Sequence, residues 1–175
     1  MNARHIETYY NGIKYRSRTE ARWALFFDKM GWTPDYEMEG FDVGGEWYLP
    51  DFYVPEIKSF CEIKGREPNY DERRKARKLA IQTQSRIIIL TNTPSPVATK
   101  NIIFIPPLNQ KQWDDDLTGR EPRVWGWYLG NFTDNPDHEV YFERLDKGAV
   151  FLGMGKSRVI DAMNAARNER FGVHA

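Results

Sequence analysis

The sequence predicts an α/β fold in one domain: a mixed β-sheet flanked by helices, with an appended hairpin and helix towards the C-terminus. Three observations predict it. A capped amphipathic segment at 17–31 is followed by short apolar runs bounded by glycine and proline, with a second helical period between them. The run 86–91 is apolar almost throughout, as in a strand covered on both faces. And 175 residues with 41% hydrophobic content supply one well-buried core and not two.

The first helix is expected over 17–31. Ser17 stands three residues before Glu20, the spacing of a capping box. Apolar residues at 21, 24 and 25 mark one face, and Gly31 supplies the left-handed residue on which helices close. Next, 36–43 and 47–54 flank Gly44-Gly45, which spells a hairpin with a two-residue turn. A short strand at 60–64 ends on Gly65. The segment 69–84 has a helical period, with Tyr70, Ala76, Leu79, Ala80 and Thr83 as its inner face and a strongly basic exterior. The central strand 86–91 follows, then a break at Thr93-Pro94-Ser95-Pro96, then a strand at 101–105 stopped by Pro106-Pro107. Over 108–150 the character changes. Trp113, Trp125 and Trp127 sit among acidic, glycine and proline residues, and strands at 124–129 and 139–144 form the appended hairpin. The tail 156–171 returns to a helical period, with Val159, Ile160, Met163 and Ala166 on one side.

Bulk charge gives no global field that recommends a polyanion as partner, because 25 basic side chains balance 25 acidic ones. A nucleic-acid partner must be argued from local charge. One cysteine allows no internal disulfide, and with histidines only at 5, 138 and 174 there is no zinc set. Oxygen ligands remain. No signal peptide and no apolar run of about 20 residues is found, so a soluble, cytoplasmic setting is expected.

Against the apolar background, charged residues stand inside runs that read as buried strands: Asp51 in 47–54, and Glu62 and Lys64 in 60–64. Side chains two apart share a face, so Glu62 and Lys64 point one way while Cys61 and Ile63 point the other. If the strand of Asp51 pairs alongside, Asp51 and Glu62 come within about 5 Å of each other. Carboxylates that close repel unless something positive lies between them. Mg²⁺ suits the place, being small, oxygen-seeking and held by one or two carboxylates plus waters and substrate phosphate. Lys64, about 7 Å along the strand from Glu62, reaches a water or substrate oxygen there. Such a geometry serves phosphodiester hydrolysis.

Leu49-Pro50-Asp51, followed by Glu62-Ile63-Lys64 and preceded by a helical Glu, resembles the PD-(D/E)XK nuclease superfamily with its restriction-endonuclease-like fold. More narrowly, Ser17-Arg18-Thr19-Glu20-Ala21-Arg22-Trp23, Tyr36-Glu37, Gly40-Phe41, Tyr48-Leu49-Pro50-Asp51-Phe52 and Glu62-Ile63-Lys64-Gly65 resemble small nucleases of that fold carried by phages and prophages. The resemblance spans about 10–105, and the tail at 167–171 is also similar to that branch. It implies a metal-dependent DNA endonuclease using Mg²⁺, with Mn²⁺ as substitute. Asp51, Glu62 and the Ile63 carbonyl would hold the ion. Lys64 would orient or activate the attacking water, and Glu20 would complete the metal shell or hold a water.

Each residue also has a plain structural role. Glu20 sits where a capping-box acid reaches back to the Ser17 amide. Asp51 after Pro50 suits a strand end, and Glu62 with Lys64 suits an exposed same-face pair. The basic run Arg66, Arg73, Arg74, Lys75, Arg77 and Lys78 suits a solvated helix face or phosphate contacts. A second cluster, Lys14, Arg16, Arg18 and Arg22, lies beside Glu20. Arg16, Arg18, Arg66, Arg73, Arg74, Arg77 and Lys78 are the candidate DNA contacts. The acidic loop at 114–116 reads as solvated, Trp125 and Trp127 as packing a sheet face, and Cys61 as a buried core residue. A homodimer would let the site cut both strands, although no heptad or large apolar face compels one. A catalytically idle binding module, and a junction resolvase or transposition end-cleaving subunit, are the alternatives.

Overall fold

The structure, a computed structural model, describes residues 6–95, 102–104, 139–142 and 150–172. Local sequence decides where its elements start and stop. Strands β1 (Thr8–Tyr10) and β2 (Ile13–Tyr15) pair antiparallel around Asn11-Gly12. Both turn residues have positive φ, 49° and 77°, as the primed two-residue turn requires. Helix α1 (Arg18–Met30) begins where Ser17 Oγ accepts the Glu20 amide at 3.1 Å. It ends on Gly31, at φ 75°, whose N–H turns back to Asp28 O. Helix α2 (Tyr70–Thr83) carries a full capping box: Glu72 N donates to Asn69 Oδ1 at 2.9 Å and Asn69 N to Glu72 Oε2 at 2.8 Å.

The central sheet has five strands: β3 (Asp35–Tyr36), β6 (Phe52–Val54), β7 (Ser59–Lys64), β8 (Arg86–Thr91) and β9 (Ile102–Phe104), in that spatial order. Only β7 and β8 run parallel; the other neighbours are antiparallel. A parallel pair needs a long crossover, and α2 supplies it. Alternation along the strands then feeds two apolar layers of one domain, one on each face of the sheet. Phe52, Val54, Cys61, Ile63, Ile88 and Leu90 join Trp23, Phe26 and Phe27 of α1. Phe60, Ile87 and Ile89 join Ala76, Leu79 and Ala80 of α2 on the other face. The molecule is therefore a mixed α/β structure with helices on both sides of the sheet.

Three sequence expectations are corrected. The Gly44-Gly45 turn forms, with φ of 79° and 82° and Val43 N donating to Glu46 O at 2.9 Å. Its paired strands, however, are only β4 (Phe41–Asp42) and β5 (Trp47–Tyr48). Tyr36 pairs instead with Phe52 in the main sheet. The long hairpin breaks because Glu37 adopts φ 46° and gives its N–H to Asp51 O at 2.9 Å, while Pro50 has no amide for a ladder. Second, Tyr70 is 78% exposed. It lies roughly 120° around the helix from Ala76, at 100° per residue, and so off the inner face.

The β1–β2 hairpin lies outside the expected elements, although Asn-Gly between alternating residues is its ordinary signal. Third, the C-terminal helix α3 (Lys156–Asn168) turns a slightly different face inward than expected. Its Val159, Ala162, Met163 and Ala166 are buried in the same core as α1. Ala162 takes the inward place expected for Ile160, which is half-buried. Strand β11 (Val150–Gly155) leads straight into α3 and pairs antiparallel with β10 (Glu139–Phe142). The expected partner strand at 124–129, the acidic loop at 114–116, Trp113, Trp125, Trp127 and the three histidines lie outside the described residues. Among the described residues, no helix is long and apolar enough to cross a membrane.

Candidate functional site

The β6–β7 register pairs Phe52 with Cys61. One step further along the antiparallel ladder, Asp51 stands across from Glu62, and alternation puts both on the α2 face of the sheet with Phe60. Both are buried, at 3% and 6% exposure. Asp51 Oδ2 accepts the Ile63 amide at 2.7 Å, and Oδ1 accepts Arg16 Nη2 at 2.5 Å. Glu62 Oε1 lies 2.6 Å from Lys64 Nζ. Glu62 Oε2 and the neighbouring Tyr48 hydroxyl are both buried with no partner at hydrogen-bond distance, although they face each other closely enough for the hydroxyl to draw the Glu62 pKa down. The N–H and C=O of one extended residue leave the same strand edge. The Ile63 carbonyl therefore leaves β7 on Asp51's side, whereas Lys64 O accepts Asn92 N at 2.6 Å on the β8 side.

Electrostatics follow from that burial. Desolvation lifts the Asp51 carboxyl well above the usual range; the charges of Glu62 and Glu20 lift it further, against the Ile63 amide and Arg16. Burial also raises Glu62, while Lys64 draws it back. For Lys64, burial works downward, but Glu62, Glu72 and Asp51 outweigh it and keep the ammonium charged. The acid pair is thus short of positive charge despite its two basic neighbours.

An all-oxygen donor set is present for a hard divalent ion. Among the described residues, no three acidic, histidine or cysteine side chains form a ready cage. Mg²⁺ does not need one, since it keeps waters and takes substrate oxygens alongside one or two carboxylates. Asp51, Glu62 and the Ile63 carbonyl fit that pattern, and the unpartnered Glu62 Oε2 is the atom that most lacks a cation.

Glu20 is placed differently from its neighbours. Ser17 Oγ donates to its Oε1 at 2.7 Å; Tyr36 Oη, at 2.7 Å, and Arg16 N, at 3.1 Å, donate to its Oε2. The capping contact expected from the Ser17 amide is made by the Ser17 hydroxyl and the Arg16 amide, one residue earlier. Glu20 therefore ties the β2–α1 junction to β3, within electrostatic reach of Asp51. Tyr36, Tyr48 and Glu37, which the sequence pattern did not single out as site residues, complete the surroundings. Their signal is membership in the words Tyr36-Glu37 and Tyr48-Leu49-Pro50-Asp51-Phe52, to which no role was attached.

The basic residues divide into two groups. On and before α2, Arg66 forks onto Glu72 at 2.8 and 2.9 Å, and Arg73 meets Glu67 at 2.8 Å. Arg74 forks onto Glu46 at 2.6 and 2.8 Å, where Lys78 at 3.3 Å and Lys75 at 3.6 Å also converge. Arg77 is half-buried on the same helix. Arg16 turns inward, to Asp51 and Glu37. Arg18 and Arg22, one helical turn apart on α1, have no acidic partner among the described residues, and the Nε of each is buried without a hydrogen bond. Burial and then the Arg18 charge hold the Arg22 pKa below its ordinary value. Compared with protein-family models, with curated proteins and with solved structures, the chain gives no match in any of the three.

Proposed function

We propose that this chain is a Mg²⁺-dependent DNA endonuclease of the PD-(D/E)XK type, with a restriction-endonuclease-like fold and Mn²⁺ as an alternative ion. The observation that carries the reading is the buried pair Asp51 and Glu62 on adjacent antiparallel strands, with Glu62 Oε2 unpartnered and Lys64 on the same face. A fold gains nothing from two buried carboxylates side by side unless a cation joins them. Bound there, a divalent ion supplies Lewis-acid stabilisation of phosphoryl charge and lowers the pKa of water.

The chain's own groups do the rest. Asp51, Glu62 and the Ile63 carbonyl bind the ion. Asp51 is itself oriented by the Ile63 amide. Lys64, held charged beside Glu62, donates hydrogen bonds to a phosphate oxygen or the attacking water and offsets developing negative charge. Glu20 positions the β2–α1 junction against β3. Arg18 and Arg22 are offered for backbone phosphates, since an adjacent guanidinium pair without acids is relieved by an anion.

Supercoiled plasmid incubated with the protein is expected to be nicked or cut with Mg²⁺ or Mn²⁺ and left intact in EDTA. Asp51→Ala, Glu62→Ala and Lys64→Ala should each lower the rate roughly 100-fold or more. Undiminished cleavage by Asp51→Ala would remove the metal site from the mechanism. The idle binding module is favoured by one observation: Arg16 and Lys64 already pair with the two acids. Absence of Mn²⁺ uptake in calorimetry selects that reading.

A further inference from the structure

The β2–α1 junction carries a cation of the chain's own into the acid pair. The Arg16 backbone is anchored, its N–H donating to Glu20 Oε2 and to Tyr36 Oη, both at 3.1 Å. From there the guanidinium contacts Asp51 Oδ1 through Nη2 at 2.5 Å and Glu37 Oε1 through Nε at 2.7 Å. The pair is asymmetric: the Asp51 side chain is 4% exposed and that of Arg16 56%. The acid is fixed inside and the base reaches in from solvent. The Ile63 amide already takes one acceptor site of Oδ2, which leaves Oδ1 the freer oxygen for a newcomer, and Arg16 holds it.

We propose that Arg16 is an internal counter-cation of the acid pair, which competes with the divalent ion for Asp51 and must release Oδ1 before that ion binds. The inference rests on the metal-dependent reading above. Its physical basis is that two buried carboxylates need positive charge whether or not a metal is present. A guanidinium supplies one charge and fixed hydrogen bonds, while a divalent ion supplies two charges and needs the same oxygen. Glu37 keeps the Arg16 side chain beside the site after release. Any affinity that Arg16 gives up at Asp51 is subtracted from the apparent affinity for the ion, as for any two ligands that exclude each other.

Calorimetry with MnCl₂ alone, without DNA, tests this on wild type, Arg16→Lys and Arg16→Met. Arg16→Met is expected to bind Mn²⁺ about tenfold more tightly than wild type, with Arg16→Lys between them. Equal affinity in wild type and Arg16→Met overturns the competition and leaves the metal reading standing. Weaker binding by Arg16→Met also overturns it, because Arg16 would then be serving the ion by holding Asp51 in place. No Mn²⁺ uptake by any of the three overturns the metal reading and the inference together. Should Arg16→Met fail to fold, the wild type decides through its guanidinium nitrogen NMR signals during a Mg²⁺ titration. Arg16 signals are expected to shift in step with the Ile63 amide. Arg16 signals that stay in place while the Ile63 amide shifts to saturation overturn the proposal.

Discussion

Two charge-rich regions, the paired ends of β6 and β7 and the outer surface of α2, treat their charges in opposite ways. On α2, Arg74, Lys75 and Lys78 gather around Glu46, and Arg66 and Arg73 find Glu72 and Glu67. These groups are at or near the surface, where water screens them and each pair adds little. At β6–β7, Asp51 and Glu62 are buried, and their two basic neighbours leave Glu62 Oε2 without a partner. Charge density alone therefore says little about where electrostatic free energy is stored; burial and the balance of partners do. It follows that the more conspicuous basic run is mostly satisfied, and the less conspicuous acid pair is not.

The largest expected effect of this contrast is on DNA binding. If α2 is internally neutralised while Arg18 and Arg22 are not, Arg18→Ala with Arg22→Ala should weaken duplex binding about tenfold or more. It should also lower the salt slope by roughly 2, one for each phosphate no longer neutralised. Arg66→Ala with Arg73→Ala should do much less. Fluorescence anisotropy across a salt series measures both, and a greater loss of affinity from the second pair would reverse the assignment of the two regions.

A smaller effect concerns stability in EDTA. Folded Asp51 carries a raised pKa, so its contribution to stability is fully present below its unfolded pKa and is lost as pH rises through the folded value. Above the unfolded pKa the burial of this carboxyl therefore opposes folding. Asp51→Asn, which retains an acceptor for the Ile63 amide, should raise Tm by roughly 2–4 °C, corresponding to about 1 kcal/mol, while abolishing metal-dependent cleavage. A lowered Tm would mean that the Arg16 pair outweighs the cost of burial.

The smallest effect lies on α2. Hydrogen bonds from Arg74, reinforced by Lys78 and by the charges of Arg74 and Lys75, depress Glu46 from 4.5 to about 2. A depressed carboxyl stabilises the fold above its unfolded pKa and loses that contribution as pH falls towards about 2. Carboxyl NMR should place the Glu46 midpoint near the lower value, and high salt should move it back towards 4.5. A midpoint already at the ordinary value in low salt would show that Glu46 does not neutralise α2.

Features that depend on near neighbours were legible in the bare chain. Ser17 and Gly31 bounded α1, Gly44-Gly45 made its turn, and the period of two set Glu62 and Lys64 on one face and Cys61 and Ile63 on the other. The nearness of Asp51 to Glu62 was legible for the same reason, because one short connection between antiparallel strands leaves few registers. Contacts made across long separations came only with the packed molecule: Tyr36 beside Phe52, Glu46 under α2, α3 in the core of α1, and Arg16 turned inward to Asp51. Those partners are chosen by which faces must be buried together and which charges must then be offset, and local spacing carries no record of that choice.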